Sequence, residues 1–390
     1  MPDQITRTTS QSWFSRVGGA FAGVAVGFVM IIACVIGLSW NEGRAVARER
    51  ALKEGAGVVV SVEATPVVAA NDQKLIHVSG PTAVTADLTD DQFAVTGRGL
   101  ALSRSVEMYQ WKEDSKSETR TKLGGGEETV TTYTYTREWA SGRNDSSAFA
   151  EPNGHQNPEL EIEPSTVYAQ DATLGDFRLD ENVLGQVGGA RPLPIPAESA
   201  EAVAAAAGQS RPVTVAQNRI YIGRDPATPV VGDVRISYEV TPTSEISVVG
   251  RQNGDRLAEY ETSNGGSVLL VHDGVETAAA MFSGAQQENR ILTWIIRGAG
   301  IVFLMVGFGL ILAPLGVLAD VLPLAGTIVR MGTGLIGFVL GLTIGVVTIA
   351  VSWFAFRPLL SIGLLVVGLA IAAAVWKFGR KRARAAEAGA

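Results

Sequence analysis

Residues 17–40 read VGGAFAGVAVGFVMIIACVIGLSW, 24 residues without a charge. A run of this length crosses a hydrocarbon core of roughly 30 Å as a helix. A backbone in lipid must satisfy its own hydrogen bonds, so no other form is open to it. Three further apolar runs sit at the other end of the chain, at 298–319, 331–356 and 358–378. The sequence therefore describes a multipass α-helical membrane protein with four transmembrane helices in a 1 + 3 arrangement. Residues 41–297 form a large extramembrane insert, flanked by an N-terminal tail, 1–16, and a basic C-terminal tail, 379–390.

The first run is longer than the 7–15 apolar residues of a cleaved secretory signal. Ile31-Ile32-Ala33-Cys34 loosely resembles a lipoprotein cleavage site, but the chain stays apolar from Cys34 through Leu38, which favours a retained span. Four spans place both termini on one side. Lys377, Arg380, Lys381, Arg382 and Arg384 assign that side to the cytoplasm by the positive-inside rule. Arg44, Arg48, Arg50 and Lys53, just after the first span, count the other way. Insert 41–297 is then periplasmic if the source is bacterial, with the spans in the inner membrane, or lumenal if it is eukaryotic. The excess of Arg (25) over Lys (7) points to a GC-rich, bacterial genome.

The insert carries 36 of the 39 acidic residues against 23 basic ones, a net −13. That excludes a nucleic-acid platform, which needs a basic face. Its pattern is β-rich. Val58-Val59-Val60, Leu75-Ile76-His77-Val78 and Phe93-Ala94-Val95 are strand-like runs, and more follow between 213 and 271. Asn253-Gly254-Asp255 and Asn264-Gly265-Gly266 read as tight turns. Residues 103–111 and 129–139 predict a long hairpin whose polar tip, 112–128, contains Gly124-Gly125-Gly126 and reads as mobile. Residues 198–207 predict a short helix, and 192–196 a linker that could divide the insert. Residues 274–297 turn helical and lead into the second span.

Chemistry-bearing groups are sparse. His77, His155 and His272 lack metal-ligand spacing, and the only cysteine, Cys34, lies in a span, so no metal or cofactor is expected. No nucleophile elbow or phosphate loop is present. His155 lies in Gly154-His155-Gln156-Asn157-Pro158, a turn fixed by its Asn-Pro pair, and reads as a loop lock. The spans contain no charge, which argues against a channel or pump. They do contain two ladders of glycine at every fourth residue: Gly19, Gly23, Gly27 and Gly337, Gly341, Gly345. Such ladders let helix backbones approach closely, within one chain or between copies. Glu42 and Arg357 both lie outside the spans on one face of the membrane, and two readings stand: they pair and tie the first span to the others, or each contacts only water and headgroups.

Several pieces in order resemble the LUMA family, transmembrane protein 43 and its relatives. They are Trp40-Asn41-Glu42-Gly43-Arg44-Ala45, Met108-Tyr109-Gln110-Trp111, Glu138-Trp139, the turn at 154–158, Gly232-Asp233-Val234-Arg235, and Trp353-Phe354-Ala355-Phe356-Arg357-Pro358-Leu359. The resemblance implies four spans, a lumenal domain, residence in the endoplasmic reticulum and nuclear envelope, and self-association. Its eukaryotic relatives organise membrane complexes with emerin and lamins, a role that does not transfer directly to a bacterial-looking chain. It brings no catalytic residues.

Three functions compete. The first is a non-enzymatic scaffold that forms a homo-oligomer and binds other membrane or envelope proteins. The second is a membrane-surface enzyme on lipid or envelope substrates, using Asn41, Glu42, Arg44, Arg357 and His155. The third is a transporter or channel subunit.

Overall fold

Length and apolarity carry the spans into helices that outrun the membrane. The computed structural model describes residues 3–208 and 211–357. Three helices in it are long and apolar enough to cross a bilayer: α1 (Trp13–Val58), α4 (Ala278–Ala319) and α5 (Pro323–Phe356). Two short helices lie between them, α2 (Glu181–Leu184) and α3 (Ala200–Ala207). The fourth predicted span, 358–378, and the basic tail lie outside the described residues. α1 runs without a break through the helix-forming stretch after Trp40, and α4 absorbs the helical pattern before its span. α5 starts eight residues before the apolar run at 331, because Pro323 at its first turn fits a helix start and nothing from there to Arg330 breaks one.

The chain divides into two units, one of residues 1–10, 51–120 and 128–285, the other of 11–50, 121–127 and 286–390.

The first unit is β-rich. One eight-stranded sheet runs, in order, Asp3–Gln11, Glu127–Ala140, Ala101–Thr121, Val234–Thr241, Arg219–Ile222 and Val213–Ala216, with Ser165–Tyr168 and Arg191–Leu193 pairing beside it. A seven-stranded sheet is centred on the antiparallel pair Leu75–Ala83 and Glu245–Asn253. Period-2 alternation sends Leu102, Val106 and Met108 inward beside Ile236 and Tyr238, and the second sheet contributes Ile76, Val78, Ile246 and Val248 to the same core. Residues 192–196 do not divide this unit. Arg191–Leu193 pairs with Val234–Thr241, and Ile195 is in the shared core.

The polar stretch 112–121, expected to be part of a mobile tip, is strand. Its side chains give no hydrophobic signal, but they pair across the ladder: Ser117 with Thr131 (2.9 Å) and Thr119 with Thr129 (3.0 Å). Only 122–126 turn.

The second unit holds antiparallel helices. Gly27 of α1 lies against Gly307 of α4, and Gly341 of α5 against Met305 of α4.

Candidate functional site

The motif after the first span becomes part of a polar seam between α1 and α4. Asn41, Glu42, Ala45 and Glu49 recur at helical spacing on one face of α1, while Gln286, Asn289, Arg290, Thr293 and Arg297 do so on α4. The Glu42 carboxylate accepts two hydrogen bonds from the Arg297 guanidinium, at 2.6 and 2.7 Å, and is almost fully buried. The Arg44 guanidinium donates to the side-chain oxygens of Asn41 (3.1 Å), Asn289 (3.1 Å) and Thr293 (3.3 Å). The Asn41 amide donates to the Thr293 carbonyl and the Asn289 amide to the Ala45 carbonyl, so a second layer of bonds holds the seam. Gly43 leaves room for the Phe356 ring, which a Cβ there would meet at 2.9 Å.

Glu42 does not pair with Arg357. Arg357 instead pairs with Glu49, two helical turns further along α1, and its guanidinium lies over the Trp353 ring. Sequence reasoning put the right residues on the right face and missed the partner. Arg297 was readable in hindsight: in an antiparallel helix pair, the residue that precedes the second span sits level with the one that follows the first.

Each glycine named from the sequence has a definite neighbourhood. Added Cβ atoms at Gly27, Gly341 and Gly345 would meet Gly307 O (2.6 Å), Met305 N (2.6 Å) and Ile301 Cγ1 (2.7 Å). At Gly337 the nearest atom is Gly309 N (3.2 Å), and at Gly23 it is Leu310 Cδ2 (3.9 Å). A Cβ at Gly19 would have no neighbour within 4 Å among the described residues. Both ladders therefore engage α4 of the same chain, through all their members but Gly19. Trp40 is exposed, at the level where an interfacial indole belongs.

At the other end of the helices, Arg16 donates to the buried Asp320 (2.6 Å), to which Arg330 also pairs, and Arg16 pairs with Glu127 (3.1 Å). The Trp13 indole donates to the Val317 carbonyl and lies on the backbone of Gly125, where any side chain would collide with it. Of the predicted tip, 112–128, residues 121–127 belong to the helical unit, at the end where α1 begins. Backbone contact with glycine made this invisible to a side-chain reading.

In the β-rich unit the 154–158 turn is a lock. The buried His155 ring stacks on Tyr135 (centroids 3.8 Å apart) and meets the Trp111 edge (4.7 Å). Its Nδ1 bonds the Glu151 carbonyl (2.9 Å), and its Nε2 faces the Asp3 carboxylate (3.3 Å). Asn157 accepts from the Trp111 N–H (2.7 Å) and donates to the Trp111 and Asn144 carbonyls. The Pro158 carbonyl accepts from Arg143, and its ring sits against Gly232. The Tyr135 hydroxyl donates to Glu113 (2.7 Å). Burial, and then that bond, push its pKa up to about 12. Deeper in, Tyr238 and Arg104 both bond Asp90, at 2.7 Å each, and burial raises the Tyr238 pKa further. Pro358 lies outside the described residues.

A family model described as Transmembrane protein 43 matches residues 108–358, about two thirds of the chain. The chain belongs to the transmembrane protein 43 family. It is 29% identical to Transmembrane protein 43 of Rattus norvegicus over 368 residues, 91% of this chain and 90% of the relative. The Homo sapiens protein is 29% identical over 378 residues, 94% and 92% of the two chains. A Drosophila melanogaster homolog is 29% identical over 354 residues, 88% and 91%. No solved structure matches. Family membership makes this an integral membrane protein with a large β-rich domain. The matched region holds the His155 lock, α4 and α5, and the relatives' coverage extends the likeness over nine tenths of the chain.

Proposed function

We propose that this member of the transmembrane protein 43 family is a non-enzymatic scaffold. On this reading it self-associates in the bilayer and organises other membrane or envelope proteins through its β-rich domain. One observation carries the reading. The polar side chains of its motifs, the groups a catalyst would need, are engaged in holding the fold: Asn41 and Asn289 bond backbone carbonyls between helices, Arg44 bonds the side chains of both, and His155 and Asn157 bond backbone carbonyls within the domain. Buried polar networks of this kind give rigidity and a unique packing. A rigid helical anchor suits a chain that displays a domain and does no chemistry. Gly19, where an added Cβ meets nothing within 4 Å among the described residues, supports close approach by a second copy.

The orientation that fits this role has the Glu42 end of α1 outside the cytoplasm. Cross-linking mass spectrometry in intact membranes tests the proposal. Scaffolding predicts links that join two copies of the same peptide, and a membrane population without any such link refutes self-association.

A further inference from the structure

Where the α1–α4 seam opens towards α5, the second unit contains a cleft of about 280 Å³. Glu42, Ala45 and Glu49 line it from α1, Gln286, Asn289, Arg290, Thr293, Trp294 and Arg297 from α4, and Trp353 and Arg357 from the end of α5. Three guanidinium groups thus face two carboxylates. Both carboxylates are already matched, Glu42 by Arg297 and Glu49 by Arg357. Asn289 and Thr293 are committed to Arg44 and to backbone carbonyls. That leaves Arg290 and Gln286, one helical turn apart on α4, with donors pointing at the same space. Neither side chain has a hydrogen bond or ion pair among the described residues. The cleft therefore holds a surplus positive charge and unused N–H donors, the complement of a phosphate oxygen.

Its level indicates where that phosphate comes from. The cleft lies where the charge-free stretches of α1 and α4 end, and Trp294 and Trp353, each with an Arg over its ring (Arg297 at 4.7 Å, Arg357 at 5.6 Å), mark the headgroup region. Beside it Ile291, Trp294 and Ile295 are exposed, each by half or more, an apolar strip on which acyl chains can lie. A soluble phosphate would use the cleft and ignore the strip, whereas a phospholipid would use both.

We propose that this cleft binds the headgroup phosphate of an anionic phospholipid, with Arg290 and Gln286 as its donors and the Trp294–Trp353 pair seating the ester level.

The full chain, reconstituted in phosphatidylcholine nanodiscs with a minor fraction of phosphatidylglycerol and then analysed by native mass spectrometry, provides the test. The wild type should retain phosphatidylglycerol over phosphatidylcholine. Arg290→Gln should reduce that retention at least fivefold, and Arg290→Glu should abolish it. Arg256→Gln, a surface change in the β-rich unit, should leave it unchanged. Arg290 is exposed and its side chain has no hydrogen bond or ion pair among the described residues, so these variants should fold normally. Excess inorganic phosphate should not displace the lipid. Equal retention of the two lipids, unchanged retention in the Arg290 variants, or displacement by inorganic phosphate would each overturn the proposal.

Discussion

Replacing Glu42 with Ala removes the acceptor for two charge-assisted hydrogen bonds from Arg297, at 2.6 and 2.7 Å. Bonds to charged groups contribute about 1.5–3 kcal/mol each, which brackets the gross loss at about 3–6 kcal/mol. The orphaned guanidinium recovers part of this, because Arg297 keeps some exposure and can reach the headgroups on its long stem. Breaking a buried pair by removing one partner costs about 3–5 kcal/mol, and that is the expected net value here. For a chain of 390 residues it corresponds to a fall in Tm of about 4–6 °C. Glu49→Ala is the internal control. It breaks the Glu49–Arg357 pair, whose carboxylate is half exposed, and such pairs contribute about 1 kcal/mol or less. Tryptophan-fluorescence melting in detergent, with the swap Glu42→Arg plus Arg297→Glu completing a double-mutant cycle, reads both quantities. If Glu42→Ala melts no lower than Glu49→Ala, or if the cycle is strictly additive, the seam does not hold the helices together.

Four further outcomes follow from the same geometry. Gly341→Ala forces a Cβ against the backbone of Met305 and should destabilise the protein by about 1–3 kcal/mol, while Gly19→Ala should be neutral; parallel melting curves check both. His155→Ala removes the Tyr135 stack and two ring hydrogen bonds and should cost about 2–4 kcal/mol, read as a lower urea midpoint. Because the Tyr135 pKa is raised from 10.0 to about 12, its contribution is complete below pH 10 and is lost as pH rises towards 12; Tyr135→Phe should flatten the wild-type fall in that window in pH-dependent melting. In a Cys34→Ser background, a cysteine at Gly124 should react with an impermeant thiol reagent from the same face as one at Ser12. Labelling of Gly124 and Ser12 from opposite faces would show that the contact of Gly125 with Trp13 is not kept in the membrane.

The spans were legible because lipid imposes one solution on a charge-free stretch, and residues 17–40 and 298–319 met that demand. Helix ends were less so. Nothing chemical stops α1 at Trp40, and the helix runs on to Val58 because residues 45–55 are helix formers in water as well. The core strands announced themselves by alternation, as in Val234–Thr241. Strand 112–121 could not, since its stability comes from Ser–Thr pairs that exist only once the register is known. The glycine ladders were visible as spacing, but their partner, Gly307 and Met305 of α4, is a tertiary fact. Glu42 was singled out correctly and given the wrong Arg, because proximity along the chain ends suggested Arg357 while helix packing delivers Arg297.

The central claim, self-association of a rigid helical anchor, is tested most directly by counting copies in lipid. Single-particle mass measurement of the full chain, extracted from native membranes in polymer-bounded lipid discs, gives that count without detergent. The account predicts a defined multiple of the chain mass that Gly19→Ile reduces and Gly19→Ala does not. A uniform monomer, or a multimer indifferent to every change on the open face of α1, would contradict it.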